Sequence, residues 1–457
     1  MIKSNVLATE LVTFKNSQDL EARGTILKLA QNFIVFEVYN PYSIVQLSEV
    51  LSEMKIFRAN KSIYQGNAIV TNIVNTGIVL IVSAALSDSS WKKDFDVDSK
   101  ESLSTEITYL IESFDKEQEI DTEFKLCILS IRSLLHNVKN WCDKLEPSFE
   151  KSKSKIDTKF ILDNFENLFT KLNTLYNQFS TLSSNLDPSV IDLYKNFVQS
   201  HLHPLILSSP FPYRCYAKPL GFAGDYMMMH MIQRENAEGP NLFAKFTNVF
   251  CSKIPIMDSV NNRTAKLITL LEEGIKRAEK ENREFHSLSI GCGPAVEVKR
   301  FIQRYNPKVK CHFKLLDFNQ ETLDFASSEA IKEIKGKNYE VSTQLDSVHV
   351  LLKKSVNRKI EDQRYDLVYC SGLFDYLSDR ICSKLTRMFF DMTKTDGKVF
   401  VTNMHSKDID HYSLEILLEW YLIYRNEETM SSFAPKNTSK KVYTDSTGIN
   451  LCLEIHN

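Results

Sequence analysis

The segment Ser287–Arg300, "SLSIGCGPAVEVKR", carries two glycines separated by a cysteine, after a short apolar run and before a helical pattern. A strand, a tight glycine turn and a helix form a corner at which nucleotide-type ligands bind. Dinucleotide-binding folds use G-x-G-x-x-G, and the free N–H groups of the helix bind the pyrophosphate. Here the third glycine is absent, Pro294 has no N–H group, and Glu297 adds a negative charge to the first helical turn. The pattern therefore disfavours a diphosphate.

Acidic residues follow the next two predicted strands. Asp317 ends the second strand, 24 residues after Gly293, where its carboxylate can accept hydrogen bonds from both hydroxyls of a ribose. Asp346 and Ser347 follow the third strand, where a side chain can reach an adenine amine. S-adenosylmethionine suits such a corner, because it has no phosphate and its sulfonium is positive. Asp317 and Asp346 have an alternative interpretation as helix-capping acids. The predicted cofactor-binding residues around the corner are Gly291, Cys292, Gly293, Asp317, Phe318, Asp346 and Ser347.

Alternating strands and helices must position this corner. Five apolar strands are predicted after His201, and helical patterns separate them; the strands are Leu288–Gly291, His312–Asp317, Tyr339–Thr343, Tyr365–Cys370 and Lys398–Asn403. This alternation predicts a parallel, doubly wound α/β sheet. The tail "KKVYTDSTGINLCLEIHN" predicts an antiparallel hairpin that closes the sheet.

Two other regions precede this α/β domain, which is predicted to span residues 201–457. Residues 1–92 contain short β-branched runs separated by turn signals, which predict a small antiparallel barrel or sandwich. Residues 93–200 repeat apolar side chains every three or four positions, which predicts a helical bundle. Such a bundle is more typical of a spacer or a homodimerisation element than of a catalytic centre.

Composition narrows the class of protein. The 457 residues are 43% hydrophobic and 25% charged, and their net charge of −2 gives no general attraction to nucleic acid or anionic membrane. The nine cysteines form no CxxC pair or Cys/His cluster, so neither a disulfide framework nor a metal site is expected. No signal peptide is evident, and the apolar run at 77–86 is about half the ~20 residues of a membrane-spanning helix. A soluble, cytoplasmic protein is expected.

Three segments carry a family resemblance. They are "KPLGFAGDYMMMHMI", "NNRTAKLITLL" with "LSIGCGPAVEV", and "CSGLFDYLSD". The region from His201 onward resembles class I S-adenosylmethionine-dependent methyltransferases, which implies a Rossmann-like domain. These segments are similar, more narrowly, to bacterial 3-hydroxy-fatty-acid methyl ester synthases, which make a quorum-sensing ester of 3-hydroxypalmitic acid. The resemblance implies O-methylation of a fatty-acid carboxylate.

The N-terminal region resembles a PilZ-like domain only loosely. PilZ domains that bind cyclic di-GMP carry an RxxxR arm and a [DN]xSxxG motif. Here Arg23 and Arg58 stand alone, and "TNIVNTG" stands at the second motif. Cyclic di-GMP is therefore not an expected partner.

An ionised carboxylate needs no general base to accept a methyl group, so the acceptor site requires cations, hydroxyls and an apolar wall. Asp225 is expected near the cofactor's amino group. Arg214 and His405 have the alternatives of a surface ion pair and a structural histidine, and Asp225 that of a helix cap with the adjacent methionines in the core. The predicted catalytic residues are Tyr226, His405 and Arg214. The predicted substrate-binding residues are Tyr213, Phe374, Tyr376 and Met228.

Two other functions remain open at this point. The first is methyl transfer to another small metabolite or to a protein. The second is a non-enzymatic module that senses a ligand. A nucleic-acid substrate is disfavoured, because no basic stripe interleaved with aromatic residues is present and "CSGLFDY" stands where an Asn-Pro-Pro-Tyr-like motif would be.

Overall fold

The computed structural model describes residues 11–17, 21–38, 45, 48–58, 61–75, 80–87, 90–91, 107–108, 111–112, 114–152, 156–220, 222, 224–234, 237–356, 364–408 and 410–457. The chain divides into two compact units, Met1–Asp121 and Thr122–Asn457.

The first unit contains a closed antiparallel barrel of six strands. In order around the barrel they are β1-β2-β3-β6-β5-β4, and β1 also pairs with β4. Alternate residues of β1, β3 and β6 are buried, which gives the barrel its apolar interior. The predicted small barrel is thereby confirmed. Its strands are β1 (Leu11–Lys15), β2 (Glu21–Leu29), β3 (Phe33–Val38), β4 (Val50–Arg58), β5 (Lys61–Asn75) and β6 (Leu80–Leu86).

The second unit begins with three long amphipathic helices, α1 (Thr122–Ser152), α2 (Thr158–Ser184) and α3 (Ile191–Ile206). Asp157 caps the start of α2 by accepting a hydrogen bond from the Phe160 amide. The boundary expected at residue 200 falls inside α3. These helices pack within the second unit, in contact with later helices of the α/β region.

Four helices lead into the sheet. They are α4 (Pro210–Ala217), α5 (Tyr226–Gln233), α6 (Leu242–Cys251) and α7 (Pro255–Lys280). Pro255 starts α7 at a position where its missing N–H group costs no helical hydrogen bond.

The sheet has seven strands in the order β12-β13-β11-β10-β7-β8-β9. The strands from β11 to β9 run parallel, and β12 and β13 form the predicted antiparallel hairpin. Strands β7 to β10 lie within a few residues of their predicted bounds, whereas β11 starts five residues earlier than predicted. The strands are β7 (Phe285–Ile290), β8 (Cys311–Asp317), β9 (Tyr339–Leu345), β10 (Tyr365–Cys370), β11 (Thr393–Met404), β12 (Ser439–Thr444) and β13 (Asn450–His456).

Helices cover both faces of this sheet, as the strand–helix alternation predicted. The chain runs from β7 to β8 on one side of β7 and later places β10 on its other side, so the strand order reverses beside β7. In doubly wound folds, ligands bind at the carboxyl ends of the strands at this point. The remaining helices are α8 (Val296–Arg304), α9 (Gln320–Ile334), α10 (Val348–Val356), α11 (Asp379–Asp391), α12 (Asp410–Leu418) and α13 (Glu427–Ser432), and a short 3₁₀ helix spans Phe374–Tyr376. Of these, α12 packs mainly against α2 and α3.

Among the helices of the described residues, none combines the length and the apolar character required to cross a membrane.

Candidate active site

A cleft opens at the point where the strand order reverses. Residues that follow β7, β8, β9 and β10 line it, together with parts of α5 and α7 and the segment after α12. The cleft is open to solvent.

The glycine corner forms the floor of the cleft with an alternating left-handed backbone. The φ angles of Gly291, Gly293 and Ala295 are 63°, 53° and 46°. A Cβ atom at Gly291 would lie 3.1 Å from the Leu373 side chain, whereas one at Gly293 would meet nothing within 4 Å. Glycine favours this left-handed conformation at position 293, and the absence of a side chain leaves its side of the turn open to a ligand.

Asp317 joins the end of β8 to the glycine corner. Its Oδ2 accepts a hydrogen bond from the Gly293 amide at 3.2 Å, and its Oδ1 accepts one from the Asn319 amide at 3.1 Å. The carboxylate is buried yet lines the cleft, and burial raises its pKa. Asp317 thus fixes the corner and also presents its carboxylate to a ligand.

The other residues predicted to bind the cofactor around the corner divide into those that line the cleft and one that does not; Cys292 is buried and lines it. Asp346 lines the cleft, its amide donates to the Asp317 carbonyl, and its carboxylate accepts from Gln344. Phe318 also lines the cleft, with its side chain 54% exposed. Ser347 instead lies outside the cleft lining, at the start of α10, where its hydroxyl accepts from the Val350 amide.

Carboxylates dominate the charge of the cleft. Among the described lining residues, four are acidic and one is a cation: Glu297, Asp317, Asp346, Asp375 and Arg263. Burial raises the pKa of Glu297, which accepts a hydrogen bond from the Tyr369 hydroxyl at 2.8 Å. Burial also raises the pKa of Asp375 to about 6, although Arg263 and the Met404 amide oppose that shift. A cationic ligand fits this balance better than a diphosphate.

Arg263 is a cleft residue that sequence reasoning did not single out. It lies on α7, its side chain is 93% buried, and its Nη2 lies 3.4 Å from the Met229 sulfur. Its guanidinium forms no ion pair among the described residues, although the charge of Asp375 attracts it. A Cβ atom at Gly372 would lie 2.8 Å from Nη2, so the glycine provides the space that the guanidinium occupies. The segment "NNRTAKL" could have indicated this residue, because its arginine interrupts the apolar face of a helix.

Two predicted tyrosines reach the cleft. The Tyr226 hydroxyl donates to Glu321 at 2.6 Å, and its ring packs against Phe325. The Tyr376 hydroxyl accepts from the Trp420 indole at 3.4 Å, and burial raises its pKa.

Arg214 and Asp225 bind each other. Two nitrogens of the guanidinium lie 2.8 Å from the two carboxylate oxygens. Asp225 is also the N-cap of α5, where it accepts from the Met228 amide at 2.8 Å. Neither residue belongs to the cleft lining. This is the helix-cap alternative, so the structure does not place Asp225 at a cofactor amino group or Arg214 at an acceptor.

Four other predicted acceptor residues lie outside the cleft lining. Phe374 is fully buried and packs against two aromatic rings of the core. Met228 and Tyr213 are buried on α5 and α4, and Met229 reaches the cleft instead. The remaining residue, His405, is buried, its Nδ1 accepts from the Lys407 amide at 2.9 Å, and its Nε2 lies 3.3 Å from Glu427.

One group of metal-ligand type lies away from the cleft, on neighbouring strands. His286 and His312 are register partners of β7 and β8, and their rings stack at 4.4 Å. Glu284 lies 3.1 Å from His312, and the three side chains are close enough to share an ion. Sequence reasoning expected no metal site and could not pair residues on separate strands.

The chain is similar to several solved structures over about half its length. A protein described as a possible exported protein from Bordetella parapertussis aligns at 14% identity, covering 51% of this chain and 79% of the other, with a TM-score of 0.39. The N-methyltransferase NodS of Bradyrhizobium japonicum WM9 aligns at 10% identity, 44% and 97% coverage, and a TM-score of 0.30. Magnesium protoporphyrin IX methyltransferase of Synechocystis PCC 6803, with bound S-adenosylhomocysteine, aligns at 10% identity, 46% and 87% coverage, and a TM-score of 0.33.

No family model matches the chain, and no curated protein matches it. At TM-scores below 0.5 the structural likenesses assign no activity. The function proposed below therefore rests on the residues of the cleft.

Proposed function

We propose that this protein is an S-adenosylmethionine-dependent methyltransferase that esterifies the carboxylate of an apolar acid, with a 3-hydroxy fatty acid as the acceptor. The cofactor assignment rests on one observation: four carboxylates and a left-handed glycine turn line the same cleft, at the point where the strand order reverses. Pro294 and Glu297 make this corner unfavourable for a pyrophosphate. The same charges favour a sulfonium cation.

Each part of the cofactor has a candidate partner in the cleft. Gly293 leaves room for close approach of a ligand, and Asp317 offers carboxylate oxygens to ribose hydroxyls. Asp346 lies further along the same edge, toward an adenine amine. Glu297 and Asp375 supply negative charge for the amino group and the sulfonium. When bound, the cofactor supplies an electrophilic methyl group.

Arg263 is the candidate anchor for the acceptor's carboxylate. A buried guanidinium is costly unless an anion or a set of hydrogen bonds compensates it. Asp375 attracts the Arg263 guanidinium without forming an ion pair with it among the described residues, so an incoming carboxylate can complete the compensation. Tyr226 and Tyr376 line the same cleft and present hydroxyls and rings to the acceptor.

The chemistry requires positioning rather than proton transfer. A carboxylate is ionised at neutral pH and takes up a methyl group without losing a proton, while the departing sulfur becomes a neutral thioether. The contribution of this chain is to hold the acceptor oxygen in line and to exclude water. This role agrees with a cleft that needs no general base.

The cofactor assignment is tested by calorimetric titration of S-adenosylmethionine into Asp317→Ala. We expect the affinity to fall at least about tenfold, because the substitution removes the carboxylate, and with it a negative charge and the hydrogen bonds to the ribose. Asp324→Ala, an exposed acid on α9, is the matched control and should bind as the wild type does. Equal affinity in Asp317→Ala would remove this residue from the site.

The acceptor assignment is tested with methyl-labelled cofactor. The protein is incubated with 3-hydroxy fatty acids, and methyl esters are sought by mass spectrometry together with S-adenosylhomocysteine. Arg263→Gln should raise the KM for the acid more than it lowers kcat, because the anchor acts on binding. Label that reaches only amines, protein side chains or RNA would refute the acceptor and retain the cofactor. Absence of turnover with every acceptor would leave a ligand sensor as the explanation.

A further inference from the structure

A second cavity lies in the same unit, outside the cleft lining, where the long helices meet the α/β region. Leu135, Leu172 and Leu202 line it from α1, α2 and α3, and each is buried. Phe246 on α6 and Met257 on α7 also line it. Its described lining is almost entirely hydrocarbon.

Thr247 is one of three described lining residues with a hydroxyl or thiol, together with Tyr176 and Cys251. Its side chain is 98% buried, and its hydroxyl has no hydrogen-bond partner among the described residues. An unpaired buried hydroxyl costs free energy, so the site is not simply a well-packed core. It has space and one polar atom left over.

The cavity lies next to the cleft. On α7, Met257 lines the cavity, while Val260 and Arg263 line the cleft one and two turns further on. The separation of Met257 and Arg263 along the helix axis is about 9 Å. The end of α12 also connects the two sites, because Leu418 lines the cavity and Trp420, two residues later, lines the cleft.

We propose that this cavity holds the hydrocarbon tail of the acceptor acid whose carboxylate binds Arg263. The proposal rests on the proposed function, since it places the remainder of the same substrate. A hydrocarbon lining matches an acyl chain, and the guanidinium one or two helical turns away matches its head group. The helices α1 to α3 then serve as one wall of the substrate site.

Chain length is the measurable consequence. Each methylene group that enters a hydrocarbon cavity strengthens binding about fourfold. Binding of dodecanoate and of butanoate to the full chain is measured by calorimetry without cofactor, so that no turnover is needed. We expect dodecanoate to bind at least about a hundredfold more tightly than butanoate.

Substitutions at Thr247 distinguish the effect of cavity volume on binding from the effect of the hydroxyl group. Thr247→Phe fills the cavity and sacrifices no hydrogen bond, so it should weaken dodecanoate binding about tenfold or more and leave butanoate unchanged. Thr247→Val keeps the volume and is the matched control, which should retain tight dodecanoate binding. Leu135→Phe fills the cavity from α1 in case Thr247→Phe does not fold, and Leu129→Phe, at an exposed position of the same helix, is its control.

The outcomes distinguish this proposal from the proposed function. The cavity proposal is overturned if dodecanoate binds no more tightly than butanoate. It is also overturned if dodecanoate binds both filling variants as tightly as it binds the wild type. If chain-length-dependent binding is lost in the filling variants but no methyl ester ever forms, the cavity is an acyl site and the proposed function fails. If esters form at rates independent of chain length and of these variants, the function stands and the cavity proposal is refuted.

Discussion

At the scale of residues, the cleft combines groups whose charges are only partly compensated. Arg263 is buried without a carboxylate of the described residues in ion-pairing distance, and Gly372 provides the space for its guanidinium. Asp375 is buried nearby and accepts a hydrogen bond from the Met404 amide at 2.7 Å. Such uncompensated groups commonly mark ligand-binding sites, because a ligand supplies the missing partner.

The raised pKa of Asp375 predicts a pH dependence of cofactor binding. With a pKa of about 6, its carboxyl is protonated at pH 5 and ionised at pH 7, so affinity for a sulfonium cation should rise across this interval. Asp375→Asn keeps an acceptor for the Met404 amide and should flatten part of the rise. Asp391→Asn, at an exposed position, should not. Titrations at pH 5, 6 and 7 measure the effect, and an unchanged slope in Asp375→Asn would contradict it.

The same shift affects stability with the opposite sign. The carboxyl is more easily protonated in the folded state than in the unfolded state, whose pKa is near 3.8. Its contribution to stability is therefore fully present below pH 4 and is lost as the pH rises through about 6. Ionisation of Asp375 therefore strengthens binding of the cationic ligand and lowers the stability of the ligand-free protein.

At the scale of elements, the start of α5 shows how a residue predicted to bind a ligand can instead join two helices. Asp225 caps α5 and pairs through both oxygens with Arg214 on α4. The carboxylate is 99% buried, and the pair joins α4 to the start of α5. Tyr226 and Met229 then face the cleft from the first turn of this helix.

Removal of the arginine tests this structural role. Arg214→Ala leaves a buried, unpaired carboxylate and should lower the free energy of unfolding by about 3 kcal/mol, measured by urea denaturation. Affinity for S-adenosylmethionine should remain that of the wild type. Arg234→Ala breaks an exposed pair with Glu238 and should cost less than about 1 kcal/mol. A catalytic Arg214 would give the reverse result, a stable protein with a lowered kcat.

At the scale of the whole molecule, the two units differ in what they offer to chemistry. The barrel of the first unit is filled by its own side chains, including Phe14, Phe36 and Tyr64. In the second unit, the cleft and the hydrocarbon cavity share α7 and the segment that follows α12. The helices that the sequence suggested as a spacer or homodimerisation element are part of this unit.

The secondary-structure elements and the glycine corner could be predicted from local sequence. Strand–helix alternation, the glycine turn and Asp317 are local features, because the periodicity of side chains and the position at a strand end are set by neighbouring residues. The barrel strands and the terminal hairpin could be predicted for the same reason.

Contacts between these side chains depend on how distant elements pack in the folded chain. Met228 and Met229 are adjacent in sequence, yet a helix turns each residue about 100° from the one before it, so one is in the core and the other in the cleft. Arg214 lies near Asp225, and Arg263 near Gly372, through the packing of separate elements. Such contacts depend on distances between distant segments, which the local pattern of residues does not contain.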